Sequence, residues 1–208
     1  MSMRQVVMEV QTTQGDLSSR LNAVVAQGRF SIKKMYNVLR PVYDRVNWKH
    51  VVMHRCIHPR HKFTLWLAAW QRLATVDRLS RIGIHVPAQC AFCHGGEETF
   101  DHLFYGCLIT GKLWSRLKTW LGYNGLIGSW QEELEWADSK ARKRTAKTEI
   151  ECCVFGMVVS TIWRNLMRFQ AAVYQEDRVC KEIVCHMHIK GRRNSNWQQQ
   201  LNSMRPIP

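Results

Sequence analysis

Three cysteines and one histidine near the middle of the chain have the residue types and the spacing of a metal site. Two residues separate Cys90 from Cys93, eight separate Cys93 from His102, and four separate His102 from Cys107. Two thiolates this close can hold one ion from a tight turn, and the later His and Cys can complete a tetrahedron. Three thiolates and one imidazole suit Zn²⁺. Because protein fills all four positions, we predict a structural zinc site.

The other cysteines and histidines form weaker candidates. Cys152 and Cys153 lie in an apolar helical run, which favours a place in the core. A second metal site would need four residues near the C-terminus: Cys180, Cys185, His186 and His188. The spacing of the two cysteines puts them on different faces of a helix, which disfavours this site. Four more histidines recur every three or four residues: His50, His54, His58 and His61. Because Pro59 should interrupt a helix here, we interpret them as surface histidines.

The composition is that of a folded globular chain. The 208 residues are 46% hydrophobic and 22% charged, with 12 Gly and 5 Pro. We find no run of about 18 apolar residues, the length needed to span a membrane, and no signal-peptide core near the N-terminus. We therefore expect an intracellular protein, nuclear or cytoplasmic and not secreted, with no membrane partner and with reduced cysteines.

Charge is distributed unevenly along the chain, whose formal net charge is +14. Residues 1–89 carry 14 basic and 4 acidic residues, residues 90–139 carry 3 and 7, and residues 140–208 carry 13 and 5. Two basic arms of +10 and +8 thus flank an acidic middle of −4. A strongly basic chain predicts a polyanionic partner, and nucleic acid, RNA or DNA, is the commonest one. The alternative is that the charge serves solubility alone.

The densest basic run is the candidate nucleic-acid surface. It places five basic residues within eight positions: Lys140, Arg142, Lys143, Arg144 and Lys147. The alternative is a solvated helix face without a ligand. The zinc segment itself carries Glu97, Glu98 and Asp101, which make it a poor phosphate binder. Its aromatic residues Phe92 and Tyr105 either stack on unpaired bases or pack beside the zinc.

Helical periodicity dominates the chain, and no segment alternates with a period of two. Ser31 is a candidate N-cap and Pro41 a stop for the first helix, and Gly83 and Gly122 are candidate C-terminal glycines. The predicted helices cover 32–39, 62–73, 76–82, 113–121, a segment after Ser129, 141–172 and 177–190. The basic run would then lie at the N-terminus of the long helix. The predicted class is mostly α: a helical domain with an embedded CCHC zinc knuckle.

The order of motifs resembles that of a known family. The segments Phe30–Leu39, His58–Trp66 and Arg72–Leu79 precede the zinc ligands, and Trp114 follows them. This arrangement is similar to the zinc-binding domain found downstream of the polymerase in plant LINE-type (non-LTR) retrotransposons. The resemblance covers about residues 29–121. It continues more weakly through Ile162–Arg164 and Val179–Ile183, which resemble the helical tail of the same reading frames.

The resemblance implies zinc on the four ligands and a part in holding template RNA or target DNA during target-primed reverse transcription. The paired aspartates of a polymerase palm are absent from the sequence, as are a phosphate-binding P-loop and an activated nucleophile. We therefore expect a non-catalytic module without the polymerase and without a small-molecule substrate. A protein-interaction adaptor, in which Trp-rich helices receive a protein partner, is the alternative.

The predicted organisation has four parts. Residues 1–29 are a poorly ordered N-terminal segment, and 30–121 are the reverse-transcriptase-type zinc-binding domain. Residues 122–190 are a helical C-terminal extension, and 191–208 are a polar tail.

Overall fold

A computed structural model describes residues 25–26, 29–39, 44–168 and 174–204. The chain divides into two compact units, Met1–Arg45 and Val46–Pro208. The prediction for 1–29 therefore falls largely outside the described residues. In the first unit, strand β1 (Val25–Ala26) pairs antiparallel with β2 (Arg29–Phe30), and helix α1 spans Ile32–Leu39. The Ser31 hydroxyl accepts a hydrogen bond from the Lys34 N–H at 3.4 Å, as its N-cap position predicts.

The described part of the second unit is mostly helical, which confirms the predicted class. The helices are α2 (Lys49–Val52), α3 (Pro59–Ala69), α4 (Val76–Arg81), α5 (Leu108–Trp120), α6 (Trp130–Ala141), α7 (Ala146–Arg168), α8 (Glu176–Gly191) and α9 (Ser195–Asn202). A single π-helical turn, His102–Gly106, precedes α5. Gly83 and Gly122 follow α4 and α5 with φ of +81° and +89°, so both occupy the left-handed conformation that glycine favours after a helix.

Helix α7 is the centre of the second unit, and α3, α5, α6, α8 and α9 all pack against it. From residue 148 to residue 162 every side chain except Met157 is buried. Gly156 allows the α7 backbone to approach Ile57, which lies just before α3, because a Cβ at position 156 would lie 3.0 Å from Ile57 Cγ2. Aromatic rings of the zinc segment and of α5–α7 meet in one cluster: Phe104, Tyr105, Trp114, Trp130 and Phe155. The cluster joins the zinc segment to the helical core.

The same helix corrects the expectation about membrane-length segments. Ala146–Met167 is long and apolar enough to cross a membrane by length and composition alone, although its apolar residues are not contiguous. In the structure 78% of its most apolar window is buried among the other helices. Its apolar surface is therefore already covered by protein.

Several helix boundaries differ from the prediction. Pro59 does not interrupt a helix but begins α3, because it occupies the first turn, where its missing N–H costs nothing. The His58 side chain caps this helix by accepting from the Arg60 N–H at 3.3 Å. The long helix begins at Ala146 and not at 141, because Thr145 and Thr148 cap it reciprocally: each hydroxyl accepts from the other's backbone N–H, at 3.3 and 3.2 Å.

The segment interpreted as a polar tail contains helix α9. Trp197 on this helix is buried, and its indole N–H donates to Glu149 Oε2 on α7 at 2.8 Å. Asn194 caps the helix by accepting from the N–H groups of Asn196 and Trp197. The structure therefore groups residues predicted as extension and tail with the zinc segment in one unit.

Candidate metal centre

The first half of the site is a tight turn that carries Cys90 and Cys93. The Cys90 N–H donates to the Gly96 carbonyl at 2.8 Å, and the His94 N–H donates to the Cys90 carbonyl at 3.0 Å. His94 has a φ of +53°, which closes the turn. The backbone N–H groups of Cys93 and Phe92 donate hydrogen bonds to the Cys90 sulfur. The turn therefore directs backbone dipoles at the first sulfur.

The second half of the site is the π-helical turn and the start of α5. The Thr99 hydroxyl accepts from the His102 N–H at 3.1 Å, which fixes the start of the turn. The Cys107 N–H donates to the His102 carbonyl at 2.6 Å, and Cys107 is the N-cap of α5. The extra residue of a π turn thus brings His102 and Cys107, five positions apart, to the same ion site.

Gly111 allows these two elements to approach. A Cβ at this position would lie 2.9 Å from the backbone carbonyl oxygen of Tyr105, which is closer than a Cβ normally approaches a non-bonded oxygen. The Thr110 hydroxyl donates to the Leu103 carbonyl at 2.8 Å across the same contact. The first turn of α5 therefore packs directly on the π turn and sets the position of Cys107 relative to His102.

The four predicted ligands come together in the structure. Their ligand atoms all lie within 4.8 Å of one another. Cys90 Sγ lies 4.0 Å from Cys107 Sγ, and Cys93 Sγ lies 3.3 Å from His102 Nε2. A tetrahedral Zn²⁺ with its usual bond lengths requires sulfur–sulfur edges of about 3.8 Å and sulfur–nitrogen edges of about 3.5 Å. The cluster therefore has the dimensions and the donor set that zinc requires.

The protonation of the two buried thiols also suits a metal. A hydrogen bond from Cys90 lowers the pKa of Cys107 to about 4, and the backbone N–H groups of Thr110 and Ile109 act in the same direction. The same pairing, together with burial, raises the pKa of Cys90. Zinc binds thiolates, so metal binding must release the protons that these thiols carry.

Glu98 is a site residue that the sequence interpretation missed. The sequence predicts that Glu98 lies with Glu97 on an acidic surface, yet Glu98 is only 5% exposed while Glu97 is exposed. Burial raises the pKa of Glu98, and hydrogen bonding from the backbone N–H groups of Val76 and Ala91 opposes that rise. The carboxylate therefore connects the Cys90–Cys93 turn to the start of α4. The exposed Asp101 makes no hydrogen bond to the His102 imidazole in the described region.

The two candidate stacking residues of the zinc segment, Phe92 and Tyr105, are packed against other rings. Tyr105 is 7% exposed and stacks on Trp130, with ring centroids 5.9 Å apart. Phe92 is half-buried and meets Tyr174 edge-on at 4.9 Å. Of the two interpretations, packing beside the zinc is the one that the structure favours, because each ring contacts another aromatic side chain.

The basic run does not lie on one helix. Lys140 is in the last turn of α6, Arg142 to Arg144 form the turn after it, and Lys147 is in the first turn of α7. The Nζ atoms of Lys140 and Lys147 lie 4.9 and 5.2 Å from the Tyr123 ring centre, so the run folds around one aromatic side chain. The expectation that it begins the long helix is therefore wrong, since the Thr145–Thr148 cap starts that helix later.

The members of the run differ in how free they are. Arg142 pairs with the buried Asp138 at 3.1 Å. Lys140, Lys143 and Lys147 surround the buried Glu151, whose carboxylate also accepts from the Tyr123 hydroxyl at 2.8 Å. Within the described ranges, the exposed Lys143 and Arg144 side chains have no ion-pair partner.

The remaining cysteines and histidines are dispersed as follows. Cys152, Cys153 and Cys180 are buried, whereas Cys185 is exposed, so Cys180 and Cys185 do face different ways. Within the residues that the structure describes, the zinc cluster is the one group of His, Cys or acidic residues with metal-site geometry. His50 and His58 are exposed, as expected for surface histidines, but His54 and His61 are half-buried.

Comparison with known proteins agrees with the geometry. Residues 30–114 match a family described as zinc-binding in reverse transcriptase. The match includes all four ligands. No curated protein and no solved structure matches the chain. The matched region is thus similar to the zinc-binding domain of reverse transcriptases, and its Cys/His cluster is compatible with a zinc ion.

Proposed function

We propose that this protein is a non-catalytic, zinc-stabilised module that binds nucleic acid, RNA or single-stranded DNA, and that it derives from a plant LINE-type retroelement. The zinc site is a CCHC knuckle in which three thiolates and one imidazole fill the tetrahedron. Because no coordination position remains for water or substrate, the ion acts in folding and not in chemistry. The domain match supports the retroelement origin.

One observation carries the nucleic-acid part of the proposal: the exposed cations of the turn between α6 and α7. Arg142, Lys143 and Arg144 are consecutive and all exposed, and Arg142 also pairs with Asp138. Each cation that contacts a phosphate releases counterions, which adds roughly 0.7–0.9 to the slope of log affinity against log salt concentration. Tight apolar contacts do not have this signature.

The test is a salt titration of binding to single-stranded RNA and DNA. Changing Arg142, Lys143 and Arg144 to Gln should weaken binding similarly across sequences and flatten the slope by about two to three. A matched control removes three exposed cations that are ion-paired elsewhere: Arg81, Lys112 and Lys181. The control has the same net charge and should keep most of the slope. Equal effects of the two triple variants would contradict the assignment of the surface.

An apolar face on α3 favours a second candidate, the adaptor for a protein partner. Phe63, Trp66 and Trp70 follow one face of the helix and are 62%, 37% and 47% exposed. Exposed indoles are frequent anchors in protein interfaces. If the adaptor function is correct, binding of the partner resists salt and is lost when Trp66 and Trp70 become Ser. The triple Gln variant then has no effect.

A further inference from the structure

A cavity lies between α3, α7 and α8, away from the zinc ligands and from the basic run. Its volume is about 560 Å³, within the range of small-ligand sites. Four cations line it: Arg60 on α3, Arg164 on α7, Lys190 on α8 and Arg193 in the turn that follows. Three helices and one turn thus direct positive charge toward the same space.

This positive charge is poorly compensated. The one carboxylate of the lining, Glu182, pairs with Arg178 at 3.0 Å. Lys190 is committed to the Cys56 carbonyl and to the Trp197 ring. In the part of the chain that the structure describes, Arg60, Arg164 and Arg193 have no ion-pair partner within 4.0 Å. A concave site with several unpaired guanidinium groups attracts anions, and guanidinium matches the geometry of phosphate oxygens.

The pKa of His61, which also lines the cavity, responds to the same positive charges. Burial first, and then the positive charges of His58, Arg164, Arg60 and His186, lower the pKa of His61 to about 4. The His61 Nδ1 atom is buried and has no hydrogen-bond partner in the described region. A neutral imidazole with an unused nitrogen is thus available to a ligand that brings negative charge.

The floor of the cavity is apolar, which distinguishes it from a site for a simple inorganic anion. Ile57, Met157, Ile183 and Met187 line it from α7, α8 and the segment before α3. Methionine side chains adapt to flat rings, and the volume exceeds what a phosphate group alone would fill. The combination of a cationic rim and an apolar floor suits a group with a phosphate at one end and a ring system at the other.

We propose that this cavity binds one nucleotide unit of a nucleic-acid strand, with the phosphate at Arg60, Arg164 and Arg193 and the base on the apolar floor. The inference rests on the proposed nucleic-acid function and gives it a second, more enclosed contact besides the turn between α6 and α7. The phosphate also reaches His61, whose imidazolium form it stabilises.

The direct test is a titration of the zinc-loaded full chain with adenosine 5′-monophosphate, followed by calorimetry and by the NMR signals of the histidine rings. The mononucleotide should bind and raise the pKa of His61 from about 4. Arg164→Gln should weaken binding about ten- to hundredfold, the effect of losing a charged hydrogen bond. Lys112→Gln removes an exposed cation on α5 and should leave binding unchanged.

Two further probes separate the parts of the ligand. Inorganic phosphate and adenosine should each bind more weakly than the mononucleotide. Phosphate that binds as tightly as the mononucleotide, or an Arg164→Gln variant with unchanged affinity, would overturn the assignment of a nucleotide site. A second variant, His61→Gln, should remove the histidine ring signal that reveals the ligand-dependent pKa of His61.

Failure of the cavity assignment can be distinguished from failure of the proposed nucleic-acid function. If the chain binds RNA with the expected salt slope but ignores the mononucleotide and is insensitive to Arg164→Gln, only the cavity assignment fails. If the chain binds no RNA or single-stranded DNA at any salt concentration, the proposed function fails, and the mononucleotide titration still decides whether the cavity is a nucleotide site.

Discussion

The Cys90–Cys93 turn and helix α7 lie in the same compact unit but are stabilised by different means. Between residues 88 and 97 only Cys90 is buried, whereas α7 is buried almost continuously from 148 to 162. Helix α7 is held by apolar area, which stabilises a fold without any ion. The turn has little apolar area to bury, so the zinc must supply what the core does not.

The two halves of the zinc site differ in the same way. The π-helical turn buries Leu103, Phe104 and Tyr105 in the aromatic cluster, so His102 and Cys107 are anchored in the core even before an ion binds. Cys93 is only half-buried, and its turn is anchored by Glu98 and by the ion. Metal binding therefore docks a weakly held turn onto a preformed half-site.

The largest effect is expected from loss of the zinc, because the ion contributes more to the Cys90–Cys93 turn than to the rest of the unit. Metal analysis of the purified protein should give about one zinc per chain, and Cys107→Ser should abolish it because three ligands remain. Amide exchange should then increase most in residues 88–98 and less in α5, while α7 stays protected. Cys185→Ser, which removes an exposed cysteine outside the cluster, should keep the zinc and the exchange pattern.

The zinc assignment fails if the Cys107→Ser protein retains a full equivalent of metal. The contrast between the two regions fails if zinc loss exposes the amides of α7 as fast as those of the turn. In that case the whole unit would depend on the ion, and the aromatic cluster alone would not hold the core together.

The second largest effect is a loss of stability when the buried Glu133, at the contact between α5 and α6, is removed. Its carboxylate accepts from the Trp114 indole at 2.9 Å, from Lys118 Nζ at 2.8 Å and from the Gly128 N–H at 3.0 Å. Glu133→Ala leaves the mostly buried Lys118 ammonium unpaired, and breaking such a pair costs about 3–5 kcal/mol. Chemical denaturation of the zinc-loaded protein should measure this loss.

Glu132 is the matched control, one residue earlier on the same helix. It forms a capping box with Ser129, in which each side chain accepts a hydrogen bond from the other residue's backbone N–H. Because Glu132 is exposed, Glu132→Ala should cost much less stability than Glu133→Ala. Similar losses for the two variants would show that the buried network contributes no more than a surface cap.

Sequence reasoning predicted the helical class, the grouping of the three cysteines and one histidine, and several helix ends, because these depend on local signals. Residue type and spacing mark Cys90, Cys93, His102 and Cys107, and glycine or proline marks several helix termini. The division into domains was not accessible in this way. Whether the segment after 191 packs on α7 depends on Trp197 finding Glu149, a partner 48 positions away.

The buried acids show the same limit. Glu97 and Glu98 are adjacent and identical in type, yet one is exposed and the other is buried among backbone N–H groups. Likewise, Lys140 to Lys147 form a simple charge run in sequence, and only the fold shows that Arg142 pairs with Asp138 and that two lysines cover Tyr123. Such roles depend on tertiary partners, which composition and spacing do not contain.

The smallest expected effect compares these two neighbouring acids. Glu98→Ala removes the acceptor for the N–H groups of Val76 and Ala91, and leaving such buried donors unsatisfied costs about 1–3 kcal/mol. The loss should fall on the turn, so zinc should dissociate more readily in competition with a chromogenic chelator, while α7 keeps its protection against amide exchange. Glu97→Ala removes the same charge from an exposed position and should change stability by less than about 0.5 kcal/mol. Equal chelator competition in the two variants would mean that the ion alone holds the turn, and that the contact from Glu98 to the start of α4 contributes nothing to its docking.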